Sequence, residues 1–266
     1  MPFANTPRLK LYYERGGEGQ SVLFISGTGG DLRNKPNQFD SPLTKNFELI
    51  SYDQRGLGQS DNPDTAFTMA QYADDAAALL DELGIDRIPV VGVSFGGMVA
   101  QELILRHPNR VSCAVLACTS SGGEGGGSYP LHEIAHLDPV ERATTHLKAA
   151  DLRHTKAWIK ANPDAWQKRV YLAVNNVRDD RDELGALKQL HARASHDTFA
   201  RLAGIQCPLL LVGGEFDGVA PMKNMQHLAN NIIDSELKFF QGGHMFLIQD
   251  KNAYPYIVQW LRGSLS

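Results

Sequence analysis

The 266-residue chain reads as an α/β protein with a mostly parallel central sheet flanked by helices, and three observations predict this. Short apolar, β-like runs alternate with stretches of helical periodicity. Several of those runs show no polar alternation, as strands covered on both faces do. The hydrophobic share is 42%, and a chain of this length can bury a large single core without a disulfide or metal staple.

The strands are expected at residues 10–13, 22–26, 47–52, 88–93, 111–117, 208–212 and 237–240. Between the third and fourth, Thr68 and Gln71 have the spacing of a capping box. Met69, Tyr72, Ala73, Ala76, Leu79, Leu80 and Leu83 follow at helical intervals, and Gly84 closes that helix. A second helix should start straight after Ser94 and end at His107-Pro108, because the proline ring clashes with a helix continuing behind it. A third opens at Pro221, and a last one runs over about residues 252–261.

The stretch 121–195 breaks this rhythm. Residues 122–128, Gly-Gly-Glu-Gly-Gly-Gly-Ser, read as a flexible entry, and no strand-like run follows for some 70 residues. Asp138-Pro139 and Asn162-Pro163 each put a capping side chain before a proline at the first helical position, and residues 182–191 are a further helical candidate. The expected division is a core of residues 1–120 and 196–266, with a helical lid at 121–195 inserted after the strand at 111–117.

The net charge is −4 with Lys and Arg scattered, so no footprint for nucleic acid is expected. No apolar run approaches the roughly 20 residues of a membrane helix, and the first residues lack a secretion signal, so a soluble cytoplasmic protein is expected. Cys113, Cys118 and Cys207 lie in apolar stretches without CxxC spacing and read as buried, reduced thiols.

The chemistry concentrates in three places. Gly92-Val93-Ser94-Phe95-Gly96 matches G-x-S-x-G in the strand–turn–helix context the motif needs, where the abrupt turn holds Ser94 in a strained backbone conformation. A serine hydroxyl is a weak nucleophile at neutral pH, so a base must take its proton and a third group must fix the tautomer of that base. Residues 209–217 read as a buried strand emptying into a loop that carries Asp217. Gly242-Gly243-His244 is a glycine-rich loop after the last strand. Glu215 and Asp234 rival Asp217, but Glu215 points to the other side of an extended segment and Asp234 precedes a strand.

With Ser94, Asp217 and His244 in that order, the chain resembles the single-domain α/β-hydrolase superfamily, near the esterases, the oxoadipate enol-lactonases and the cofactor-free haloperoxidase-like perhydrolases. The resemblance rests on residues 92–96, on Asp217 with Pro221 and on Gly243-His244, and it is supported by residues 52–60, Tyr-Asp-Gln-Arg-Gly-Leu-Gly-Gln-Ser. It implies a catalytic triad of Ser94, His244 and Asp217. It further implies an oxyanion hole from the Phe95 and Thr28 backbone N–H groups, no cofactor, no metal and a small-molecule carboxylic ester or lactone as substrate. Most relatives begin the loop that holds the second donor with His-Gly, where this chain has Ser26-Gly27. The same resemblance leaves open a slowly turning-over ligand receptor, or a triad enzyme working on a carbon–carbon bond or in perhydrolysis.

Other candidates read as structural. Asp53 and Arg55 are expected to form a turn-stabilising ion pair. His132 and His136, spaced i, i+4, lack the glutamate and third ligand of a zinc site and should face solvent. Gly27-Thr28-Gly29-Gly30 lacks dinucleotide-loop spacing. Trp158, Trp166 and Tyr171 should pack within the lid.

Overall fold

A computed structural model describes residues 2–175 and 180–265; residues 1, 176–179 and 266, which the expected core and insertion include, lie outside the described residues. In chain order the elements are β1 (Phe3–Asn5), β2 (Lys10–Gly16), β3 (Ser21–Ile25), β4 (Glu48–Tyr52), α1 (Met69–Glu82), β5 (Ile88–Val93), α2 (Phe95–Arg106) and β6 (Val111–Ala117). Then follow α3 (Pro139–Ala150), α4 (Lys156–Ala161), α5 (Pro163–Val174), α6 (Asp180–Ala194), β7 (Leu209–Gly214), α7 (Met222–Asn231), β8 (Ser235–Phe240), α8 (Phe246–Gln249) and α9 (Ala253–Leu265).

One eight-stranded sheet runs in the order β1-β2-β4-β3-β5-β6-β7-β8. β2 joins β1 and β4 antiparallel, and every pairing from β4 to β8 is parallel. The strand order therefore reverses at β3: the chain leaves it to one side for β4 and returns on the other as β5. The carboxyl ends of parallel strands share one edge, and the crevice at such a reversal is where open α/β sheets place their sites.

Alternate side chains of the central strands feed two apolar layers. Leu23, Ile25, Val90, Ala114, Leu116, Leu209 and Leu211 pack with α1, α2 and α7. Val22, Phe24, Val91, Val115, Ala117, Leu210 and Val212 pack with α9. Burial on both faces explains why these strands read as continuous apolar runs.

The helix signals act as their side chains dictate. Thr68 accepts from the Gln71 N–H and Gln71 reaches back to Thr68, closing the capping box of α1. Asp138 caps α3 through the N–H groups of Val140 and Glu141. Asn162 does not cap α5: its amide donates back to the Trp158 carbonyl at 2.9 Å, finishing α4 instead. The expected ion pair also differs. Arg55 makes a buried fork to Asp75 of α1 at 2.6 and 2.7 Å, while Asp53 accepts the N–H groups of Leu32 and Gln59. Desolvation of a guanidinium favours a partner that can offer two carboxylate oxygens at once, and α1 supplies it.

α3 to α6 lie between β6 and β7. The glycine-rich stretch that enters them is tied down rather than loose. Gly122 bridges Asp197, the Thr198 N–H donates to the Ser121 carbonyl, and Asn224 donates to the Gly127 carbonyl. Entry and exit of the segment are thus held side by side.

Candidate active site

Ser94 alone turns the chain from β5 into α2, with φ 55° and ψ −113°. A non-glycine residue in that region stores strain of roughly 1–3 kcal/mol and persists only where its surroundings fix it. Here its N–H donates to the Ala117 carbonyl at 2.8 Å. Its own carbonyl accepts from the Gly97 N–H and the Thr119 hydroxyl, each at 2.9 Å. The flanking glycines are required by close approach: a Cβ on Gly96 would sit 2.0 Å from the Ile25 carbonyl oxygen, and one on Gly92 would sit 2.5 Å from the Gly96 oxygen.

The loop after β7 carries Asp217, 2% exposed, whose Oδ1 accepts the N–H groups of Val219 and Ala220 at 2.8 and 2.9 Å. Its Oδ2 lies 2.7 Å from Nδ1 of His244, in the loop after β8, and Nε2 of that ring lies 2.9 Å from Ser94 Oγ. The structure therefore brings Ser94, His244 and Asp217 into one hydrogen-bonded row at the sheet's carboxyl edge. The rivals stand apart: Glu215 binds the Gln241 side chain, and the Asp234 carbonyl accepts from Leu209.

The last turn of a helix leaves carbonyls without intrahelical donors. In α3 two of them fix the acid and histidine loops: the Ala149 carbonyl accepts from the Gly218 N–H at 2.9 Å and the Ala150 carbonyl from the His244 N–H at 2.6 Å. Gln249 adds a tie, accepting from the Gly243 N–H at 2.7 Å and donating to Asp151 at 3.2 Å.

The loop 26–30 rests against Ser94, since a Cβ on Gly27 would lie 3.5 Å from the Ser94 Cβ. Thr28 follows it directly, and Phe95 opens α2, where the first N–H groups lack intrahelical partners. Both expected oxyanion donors are thus carried by segments that meet Ser94. Amides brace the loop: Gln54 donates to the Ser26 carbonyl at 2.9 Å, and Gln189 of α6 accepts from the Gly29 N–H at 2.8 Å.

Comparison with known proteins agrees with this architecture. The family profile described as alpha/beta hydrolase fold matches residues 20–145. RutD of Variovorax paradoxus, whose name marks it as a candidate carbamate hydrolase, is 29% identical over 92% of this chain and 93% of its own. The poly(3-hydroxyalkanoate) depolymerase of Ectopseudomonas oleovorans is 28% identical over 91% and 84%. Among solved structures, the enol-lactonase of Burkholderia xenovorans superposes with a TM-score of 0.76 at 22% identity, covering 99% of both chains. Est816, described as an N-acyl homoserine lactone degrading enzyme, gives 0.75 at 28% identity, covering 98% and 99%.

The chain has the α/β-hydrolase fold.

It is an enzyme of α/β-hydrolase type, and the resemblance drawn from its motifs holds. Within this α/β-hydrolase, Cys118 is the third member of a close group: its Sγ, a carboxylate oxygen of Asp217 and a ring nitrogen of His244 lie within 4.8 Å of one another. Burial pushes the Cys118 thiol well above its ordinary pKa, so it stays protonated. The 2.7 Å contact of Asp217 with His244 is also shorter than the spacing of two ligands placed tetrahedrally about 2 Å from an ion. Within the group, Asp217 and His244 stand at hydrogen-bond distance. His132 and His136 are exposed, as expected, but on turns rather than a helix. All three cysteines are free and buried.

Sequence reasoning passed over Gln54, Thr119, Gln189 and the carbonyls of Ala149 and Ala150. Gln54 sits inside the 52–60 segment already singled out, and Thr119 directly follows an apolar strand, so both had a local signal. The others act through tertiary contact and had none.

Proposed function

We propose that this α/β-hydrolase cleaves a small-molecule carboxylic ester or lactone through an acyl-enzyme on Ser94. The observation that carries the reading is the unbroken row from Asp217 Oδ2 through His244 to Ser94 Oγ, at 2.7 and 2.9 Å.

Asp217 accepts from Nδ1–H and so leaves Nε2 with a free lone pair facing the serine hydroxyl. As Ser94 Oγ attacks the acyl carbon, His244 takes its proton and Asp217 stabilises the imidazolium. The carbonyl oxygen becomes an oxyanion that the Phe95 and Thr28 N–H groups receive, each such donor lowering the barrier by roughly 3 kcal/mol. His244 returns the proton to the departing alkoxide, and water activated by the same ring releases the acid. Helices α3 to α6 serve as a lid whose α3 end fixes the acid and histidine loops and whose α6 braces the oxyanion loop. The lactone-degrading relatives support an acyl–oxygen bond as target.

The test is a panel of esters and lactones of graded size assayed with the native chain and with Ser94→Ala. Small substrates should turn over, and the substitution should lower kcat by about a millionfold. Residual activity above about a thousandth of native would overturn the assignment.

A further inference from the structure

A cavity of about 130 Å³ lies between α6 and residues 120–132. Its wall includes Met98, four residues beyond Ser94 on α2 and so about 6 Å along that helix. It also includes Ser120, next to the Thr119 that holds the Ser94 carbonyl.

Arg193 of α6 lines this cavity and is 6% exposed. Its Nε and Nη1 have no hydrogen-bond partner, and among the described residues no carboxylate pairs with it or lines the cavity. The contrast within the molecule is sharp, because the equally buried Arg55 has both oxygens of Asp75. Burial lowers the Arg193 pKa only to about 10, so it remains a cation at neutral pH, close enough to Asp217 for the two charges to interact. The Ser120 hydroxyl, also buried, has no partner either. The neighbouring His196 is neutral at pH 7, since burial drives its pKa down to about 4. Buried cations are otherwise paired, and a fork of guanidinium donors matches a carboxylate.

Building on the Ser94 reading, we infer that the substrate carries a carboxylate a few carbons from its scissile carbonyl, received by Arg193 and Ser120 in this cavity. Arg193 is then the residue that selects acidic esters or lactones over neutral ones of the same length.

Methyl hydrogen glutarate and methyl pentanoate, which differ by that carboxylate, provide the comparison. The native enzyme should favour the glutarate by roughly 30-fold or more in kcat/KM, mostly through KM, as a charge-assisted pair shielded from water implies. Arg193→Met should bring the ratio of the two kcat/KM values to about one, and Arg193→Lys should keep part of it. A native ratio near one, or a ratio that Arg193→Met leaves unchanged, overturns the inference. A binding readout that needs no turnover separates the two proposals. Glutarate should bind Ser94→Ala protein in calorimetry, glutaramide should not, and adding Arg193→Met should abolish glutarate binding. Absence of glutarate binding overturns the carboxylate site whatever the esterase activity, whereas binding without turnover of any ester by the native chain overturns the Ser94 reading alone.

Discussion

The loops at the sheet edge and the helices inserted after β6 are built on opposite principles. At the edge, backbone sets position: Ser94 is held by the Ala117 carbonyl, the Gly97 N–H and the Thr119 hydroxyl, and Asp217 by two backbone N–H groups. In the insertion, neither α4 nor α5 contains a buried residue, and Val140, Leu152, Tyr171, Leu172, Leu184 and Leu187 are large apolar side chains left exposed there. Reacting groups need fixed geometry to within fractions of an ångström, so they sit where main-chain hydrogen bonds determine it. On the proposed reading these helices cover the substrate, and a cover needs only to pack and to present selected side chains. The insertion touches the site loops through polar contacts such as the α3 carbonyls and Gln189.

If the edge determines chemistry, removing the function of Asp217 without its shape should be costly. Asp217→Asn keeps the volume but favours the wrong histidine tautomer, and kcat should fall by about 10⁴-fold with little change in Tm. Steady-state kinetics beside thermal melting checks this. A loss below about tenfold would mean the carboxylate does not orient His244.

The same contrast explains what the residues alone revealed. The strand runs, the capping box at Thr68, the strained serine turn and the loops that carry Asp217 and His244 were legible because each is a local pattern with a backbone cause. The three-residue β1 was not, because an edge strand that short has no period to read. Nor was α4, whose Thr155 cap precedes just six residues. Arg55 was assigned the nearer acid, Asp53, and the true partner, Asp75, became visible only once α1 packed beside the loop. Gln189 and Arg193 lie in a helix with no motif, and what they do depends on which loop or cavity that helix faces.

The junction of the two regions offers a smaller and more specific test. His196 directly follows the insertion, beside the Gly122–Asp197 bridge, with its pKa lowered by burial from about 6.5 to about 4. The folded chain thus binds fewer protons there than the unfolded chain. This contribution to stability is complete above pH 6.5 and is lost as the pH falls toward 4, by up to about 3 kcal/mol. Urea unfolding between pH 7 and 4 should show that loss, and His196→Gln should flatten it. An unchanged slope in the variant would show that the imidazole is free to ionise in place.

The most direct measurement is covalent. A fluorophosphonate added to the native chain should attach once, and peptide mapping should find it on Ser94, with labelling abolished in Ser94→Ala and strongly slowed in His244→Ala. A label on any other residue, or none on the native chain, would contradict a serine activated by His244 at the carboxyl edge of this sheet.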